Sequence, residues 1–339
     1  TDGTLGIVPV WKTFSSWGGN FGVQVKNLNP NTAYYLSVKA RNLDNISTDP
    51  SPVKNITTNN FSASYLINQG WNLISIPVDR TDKRKIVVFP FASSSAFLYQ
   101  NGYVVNDTLS NGKGYWLKFN NTIPVEVGGS EKCLDTIELV TGWNLIGSIS
   151  REVAAANIVQ IPPGVIVSSY WAYKNGYYLA DTIKPMLAYW VKANIGGSII
   201  LDTVARFGKL SNADSENFNN FNKLSFKDRS GNAQIIYFSS TENISPQSYE
   251  MPPVPPCQCF DIRFKSNRFV ESFKGKSLQQ ILTNFNSSSI GVEWEIKDGA
   301  TYSISITGSE NSTVIKDKGN VSISRSEVNS IDLKLVNGN

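Results

Sequence analysis

The chain has 339 residues, of which 41% are hydrophobic, 12% aromatic and 17% charged, with a formal net charge of +4. This is enough apolar material for two or three cores of ordinary domain size; the polarity is carried by Asn, Ser, Thr and Gly, which suits β-structure with many turns. There is no histidine, which removes Ser-His-Asp and Cys-His catalysis, His-ligated zinc and His-ligated haem together. No spacing of Asp and Glu nominates a carboxylate pair, so no catalytic residue, metal ligand or cofactor is expected. The densest charged patch, Asp79-Arg80-Thr81-Asp82-Lys83-Arg84-Lys85, contains two acids and is not the basic stripe that nucleic acid requires. No apolar run approaches the roughly 20 residues that span a bilayer, and Thr1-Asp2-Gly3 has none of the features of a signal peptide. Cys133, Cys257 and Cys259 form no metal-ligand pattern. They leave Cys133 either linked to one of the other two or a buried free thiol.

In residues 1–58, Phe21-Gly22-Val23-Gln24-Val25 alternates and leads to Leu28-Asn29-Pro30-Asn31-Thr32-Ala33-Tyr34. The spacing predicts a strand over 35–42, with Leu36, Val38 and Ala40 on one face. A turn follows at Asp49-Pro50-Ser51-Pro52, then a last strand over 53–58. This order resembles the later part of a fibronectin type III domain, in which a Leu-x-Pro-x-Thr-x-Tyr corner precedes a strand. The resemblance implies that Tyr34 ties its hydroxyl back to the backbone. The opening strands of such a sandwich have no counterpart here. Val23, Val25, Leu36 and Val38 are therefore expected to be covered either by chain upstream or by a strand donated from a neighbouring molecule.

Residues 59–204 contain a duplication. Gly70-Trp71-Asn72-Leu73-Ile74 returns as Gly142-Trp143-Asn144-Leu145-Ile146, Asn101-Gly102-Tyr103 as Asn175-Gly176-Tyr177, and Tyr115-Trp116 as Tyr189-Trp190. From 71 to 143, from 102 to 176 and from 116 to 190, the spacing stays at 72 to 74 residues. Two homologous β-units follow, over 59–130 and 131–204. Asn101-Gly102 and Asn175-Gly176 predict type I′ hairpins. Ser150 is expected to cap a short helix over 150–159 that ends at Pro162-Pro163-Gly164. Gly112-Lys113-Gly114 before the first Tyr-Trp becomes Pro185-Met186-Leu187-Ala188 before the second, and with the glycines lost an identical turn is not expected there. Trp71 and Trp143 are assigned to core packing before ligand stacking. In Tyr115-Trp116 and Tyr189-Trp190, neighbours on a strand point to opposite faces, so one aromatic of each pair is expected to be the more exposed.

Residues 205–339 predict a C-terminal β-sandwich. Asn212-Ala213-Asp214-Ser215-Glu216-Asn217 alternates oxygen ligands but lacks the Gly and terminal Glu of an EF-hand loop and is assigned as a linker. Leu224–Lys227 and Ala233–Phe238 form a hairpin about Ser230-Gly231-Asn232. Tyr249-Glu250-Met251-Pro252-Pro253-Val254-Pro255-Pro256 is polyproline-like, an extended crossover or a partner-binding segment. Strands are expected at Phe260-Asp261-Ile262-Arg263-Phe264, Val292–Ile296 and Tyr302–Ile306.

Together these motifs resemble multi-module secreted or surface proteins of Bacteroidota-type bacteria, type IX secretion substrates. Those combine fibronectin type III modules, Gly-Trp-Asn-Leu-Ile-Ser repeats and a β-domain with a Tyr-Glu-x-Pro-Pro and Phe-Asp-x-Arg-Phe signature. The resemblance implies an extracellular or cell-surface location and a non-catalytic structural or adhesive role. Its partners would be further copies or neighbouring modules; the alternative is a carbohydrate-binding accessory region, with glycans as partner. It also implies O-glycans at Asp-Thr followed by an aliphatic residue, which nominates Thr108, Thr136, Thr182 and Thr203. Two of these are also one repeat position seen twice.

Overall fold

The Gly-Trp-Asn motif opens a strand in both copies for the same reason. Gly70 and Gly142 sit at φ 90° and 97°, a left-handed backbone that favours glycine. Asn72 Nδ2 donates to the carbonyls of Asn68 and Gly70 at 2.9 and 3.0 Å. Asn144 Nδ2 donates to those of Val140 and Gly142 at 2.7 and 2.9 Å. Each asparagine thus satisfies turn carbonyls that the sheet ladder cannot reach.

The computed structural model describes residues 11–17, 32–58, 61–203, 218–242, 244, 249–256, 258–324 and 330–337. These are almost wholly strands and turns, an all-β fold. They fall into two compact bodies, Thr1–Ala63 with Gly128–Glu131, and Ser64–Val127 with Lys132–Asn339. No helix among the described residues is long and apolar enough to cross a membrane.

In the first body β1 (Ala33–Leu36) pairs antiparallel with β2 (Lys54–Thr57). The strand expected over 35–42 ends at Leu36. Beyond it, Ser51 N bonds Val38 O at 2.8 Å and Thr48 N bonds Ala40 O at 2.9 Å. The facing segment contains Pro50 and Pro52, which lack the N–H groups a continued ladder needs. Val38 and Ala40 are exposed and do not line a buried face with Leu36. Val23 and Val25 lie outside the described residues, as does the 212–217 segment.

The first repeat comprises β3 (Phe61–Ile67), β4 (Gly70–Ser75), β5 (Val78–Asp79), the helical turn α1 (Lys85–Val88), β6 (Phe97–Tyr99), β7 (Tyr103–Val105), β8 (Gly114–Phe119) and β9 (Ile123–Glu131). The second comprises β10 (Leu134–Leu139), β11 (Gly142–Ile146), β12 (Val153–Ala154), β13 (Val159–Ile161), β14 (Tyr170–Tyr173), β15 (Tyr177–Ala180), β16 (Thr182–Ile183), β17 (Tyr189–Ala193) and β18 (Gly197–Asp202). Their four-stranded sheets have the same order, β4-β8-β6-β7 and β11-β17-β14-β15. The register also matches. Trp71 pairs with Lys118 and Leu73 with Trp116, as Trp143 pairs with Lys192 and Leu145 with Trp190. Tyr115 accepts a hydrogen bond from Ser110 N at 2.9 Å, and Tyr189 one from Lys184 N at 2.8 Å.

Three local expectations are corrected. The Asn-Gly hairpins form, but each loop has three residues and is not a two-residue type I′ turn. Asn101 and Asn175 are left-handed at φ 54° and 57°, and Gly176 lies at φ 141°, while Gly102 is outside the left-handed region. Ser150 caps no helix. Its hydroxyl donates to Pro77 O at 2.7 Å and accepts from Lys132 N at 2.8 Å, and only a 3₁₀ turn at Ala155–Asn157 follows. The turn expected to differ is preserved: Gly112 and Met186 both sit at φ 71°. Met186 is fully buried, so its packing offsets a backbone cost of about 1–2 kcal/mol for a residue with a Cβ.

The copies face each other about a local two-fold pseudosymmetry. Ser75 N bonds Met186 O at 2.8 Å, and Gly147 N bonds Gly112 O at 3.0 Å. Trp116 meets Tyr173 edge to face with centroids 4.8 Å apart, and Trp190 meets Tyr99 at the same distance. This corrects the expected exposure of one aromatic in each Tyr-Trp pair. Tyr115, Trp116, Tyr189 and Trp190 are all fully buried. The two faces are distinct, but one covers the repeat's own interior and the other the opposite copy.

The close approach also explains Gly114 against Ala188. A Cβ on Gly114 would lie 2.6 Å from Ala188 Cβ and 2.8 Å from Leu145 Cγ, so only one copy can carry the methyl group. Gly114→Ala is expected to cost about 1–3 kcal/mol by overpacking in urea unfolding. Ala188→Gly in the same background is expected to recover part of that loss. No recovery would show that the two positions do not compete.

The C-terminal region is a sandwich of two five-stranded sheets, β22-β20-β19-β24-β27 and β21-β23-β28-β25-β26. Its strands are β19 (Asn222–Asp228), β20 (Ala233–Ser239), β21 (Asp261–Phe264), β22 (Val270–Ser272), β23 (Leu278–Asn284), β24 (Ser289–Glu295), β25 (Thr301–Ile306), β26 (Ser312–Ile315), β27 (Lys318–Ser324) and β28 (Ser330–Asn337). The hairpin expected about residues 230–232 is β19–β20, with Asp228 Oδ1 accepting from Ser230 N and Asn232 N. Asp298 joins several loops through Tyr302 at 2.6 Å, Asn222 and Ser240. Burial pushes its carboxyl up, but these hydrogen bonds, led by Tyr302, hold it below the ordinary value. A depressed folded-state pKa contributes stability above the unfolded pKa and loses it as pH falls through the folded one. Asp298→Asn is therefore expected to cost about 1–3 kcal/mol at pH 7, with a deficit that narrows below pH about 4. Chemical denaturation across that range checks both; a deficit independent of pH would contradict the assignment.

Candidate functional site

The pseudosymmetry is broken where the sandwich docks. The loop of the second repeat is stitched to it, with Ala233 N bonding Asn175 O at 2.9 Å. A Cβ on Gly176 would lie 2.2 Å from Ala233 O, so the glycine permits the contact. Tyr173 and Tyr177 donate to the carbonyls of Phe260 and Pro253, each at 3.2 Å. In the first repeat the equivalent loop has no such stitch among the described residues: Asn101 is exposed, and space beside Gly102 is open.

The polyproline-like segment is a clasp between the two sandwich sheets and the second repeat. Met251 and Pro252 are buried. Glu250 bridges outward, accepting from Trp143 Nε1 at 3.3 Å and pairing with the Lys192 ammonium. Beneath the clasp, β21 is buried on both faces. Ile262 and Phe264 join the sandwich core, while Arg263 pairs with Asp261 at 2.8 Å and donates to Pro252 O, also at 2.8 Å. The alternation in Phe-Asp-x-Arg-Phe thus serves two interfaces.

Over the first repeat the corresponding surface is a cleft of about 470 Å³, within the size range of small-ligand sites. Gln69, Trp71, Phe97 and Lys118 contribute from the first repeat, and Tyr173 and Asn175 from the second. Asn232, Gln258, Phe260 and Asn286 come from the sandwich. Trp71 is half-buried and rests on Phe97 with centroids 6.0 Å apart. The core assignment of Trp71 and Trp143 holds only in part, since both are partly buried at the margin of the shared core. The side chains offer aromatic faces and amides that both donate and accept, with one ammonium; none of the described lining residues is a carboxylate. Sequence reasoning missed the amides, which come from separate segments and share no local pattern.

Cys259 is in a disulfide and lines this cleft. Cys133 is free and exposed, so it neither makes the expected link nor is buried. Cys257 lies outside the described residues. No group of three or more metal-ligating side chains occurs among the described residues.

The four threonines are not brought together. Thr108 and Thr182 occupy the same repeat position, opposite Arg84 and Ala154. Thr108 is exposed; Thr182 is half-buried and donates to Asp181 Oδ1 at 2.9 Å. Thr136 is exposed and pairs with Ile200 in the β10–β18 ladder, and Thr203 lies just past its end, half-buried with its N–H on Cys133 O at 3.0 Å. No family model matches the chain, and neither the curated proteins nor the solved structures contain a match to it.

Proposed function

We propose that the chain is a non-catalytic, extracellular or cell-surface adhesive protein that holds glycans in the Trp71 cleft. The observation that carries this reading is the cleft's composition. A half-buried indole supplies an apolar face for a sugar ring, and surrounding amides match hydroxyl groups in both donor and acceptor roles. The disulfide at Cys259 supports an oxidising location.

A glycan array on the full chain tests the proposal. Selective binding is expected, with Trp71→Ala weakening it about tenfold, equivalent to roughly 1.4 kcal/mol. Trp143→Ala, at the equivalent position under Glu250, is expected to leave binding unchanged. Circular dichroism of both variants separates lost binding from lost folding. Absence of any saccharide binding would remove the reading.

Surface O-glycosylation is proposed at Thr108 and Thr136, whose side chains are exposed. Intact-protein mass spectrometry of native material should show added mass mapping to these two residues before Thr182 and Thr203. An unmodified mass would refute it.

A further inference from the structure

The second repeat is a template for what the first repeat binds. Trp71 and Lys118 are register partners on β4 and β8, as Trp143 and Lys192 are on β11 and β17. In the second repeat this pair is occupied. Glu250 accepts from the indole N–H of Trp143 and pairs with the Lys192 ammonium. In the first repeat Trp71 and Lys118 line the open cleft. Lys118 is exposed, and among the described residues its ammonium makes no ion pair.

We infer that the Trp71–Lys118 pair receives a ligand carboxylate and that the cleft takes acidic saccharides of the uronate class. This rests on the glycan-binding reading above and narrows it. A carboxylate paired with an ammonium is a charge-assisted hydrogen bond, stronger than a neutral one. The rest of the cleft argues for a sugar over a peptide. The clasp is anchored beside Glu250 by burying Met251 and Pro252, an apolar fixing. The open cleft presents the side chains of Gln69, Asn175 and Gln258 instead, which suit the hydroxyls of a pyranose, while Asn232 and Asn286 in its wall already donate to Asp228 Oδ2 and Gln258 O, each at 2.7 Å. The two sites are not identical, because Trp71 rests on Phe97 whereas Trp143 meets Trp190.

The test is calorimetry on the full chain with a galacturonate trisaccharide, the neutral galactose trisaccharide and a peptide with the sequence of residues 249–256. The uronate is expected to bind about tenfold more tightly than the neutral sugar, as a charge-assisted bond allows. Lys118→Met should abolish that ratio, and so should 1 M salt, which shortens the screening length to about 3 Å. Equal affinity for both sugars, or a ratio unchanged by Lys118→Met, overturns the inference and leaves glycan adhesion standing. Binding of the peptide with no saccharide bound overturns both.

Discussion

Trp116→Ala is expected to destabilise the second body by about 3–5 kcal/mol, the range for removing a fully buried large aromatic. The indole is completely buried and meets Tyr173 and Tyr177 with centroids 4.8 and 6.4 Å away. Each such edge-to-face pair adds about 0.5–1.5 kcal/mol beyond area burial. The pseudosymmetric Trp190 meets Tyr99 and Tyr103 at 4.8 and 6.3 Å, so Trp190→Ala should cost a comparable amount. Trp116→Phe keeps a large aromatic in the same space and is expected to cost clearly less than the alanine variant. Urea unfolding followed by far-ultraviolet circular dichroism measures all three. Costs below about 1 kcal/mol, the size of an ordinary surface change, would mean that the two repeats do not depend on each other for their core.

Arg263→Met is expected to cost about 3–5 kcal/mol at pH 7, because it strands a buried carboxylate. Asp261 and Arg263 are both almost fully buried. The guanidinium also donates to Pro252 O at 2.8 Å and to Asn267 Oδ1, which ties the clasp to β21. Burial already pushes the Asp261 carboxyl above its ordinary 3.8, against the attraction of Arg263. Removing Arg263 takes away the opposing influence and raises it further. A carboxyl raised in the folded state favours folding most when protonated, and that contribution is lost as pH rises through the folded pKa. The deficit of Arg263→Met is therefore expected to shrink as pH falls from 7 toward the unfolded value near 3.8. Asp261→Asn in the same background should recover part of it at pH 7. A deficit that grows on acidification would place the cost elsewhere.

Much of the architecture follows from local chemistry that the sequence states outright. Gly70 and Gly142 need left-handed backbone, Asn72 and Asn144 lock the turns, and the repeated register of Trp with Lys comes from strands of matching pattern. These constraints act over a few residues, so the duplication, the hairpins and the all-β class are legible without coordinates. Period-two alternation also separates Tyr115 from Trp116 onto opposite faces, but it cannot say what lies against each face. Only the packed molecule shows a core on both sides. Ser150 has the composition of a helix cap; its partners, Pro77 O and Lys132 N, are supplied by the approach of the first repeat and the start of the second. The candidate site was the least legible part. Trp71 and Trp143 stand in identical local sequence, and what separates them is a carboxylate 107 residues beyond Trp143. Glu250 reaches one tryptophan because the sandwich docks on the second repeat, and that docking is a tertiary choice which leaves the other site open.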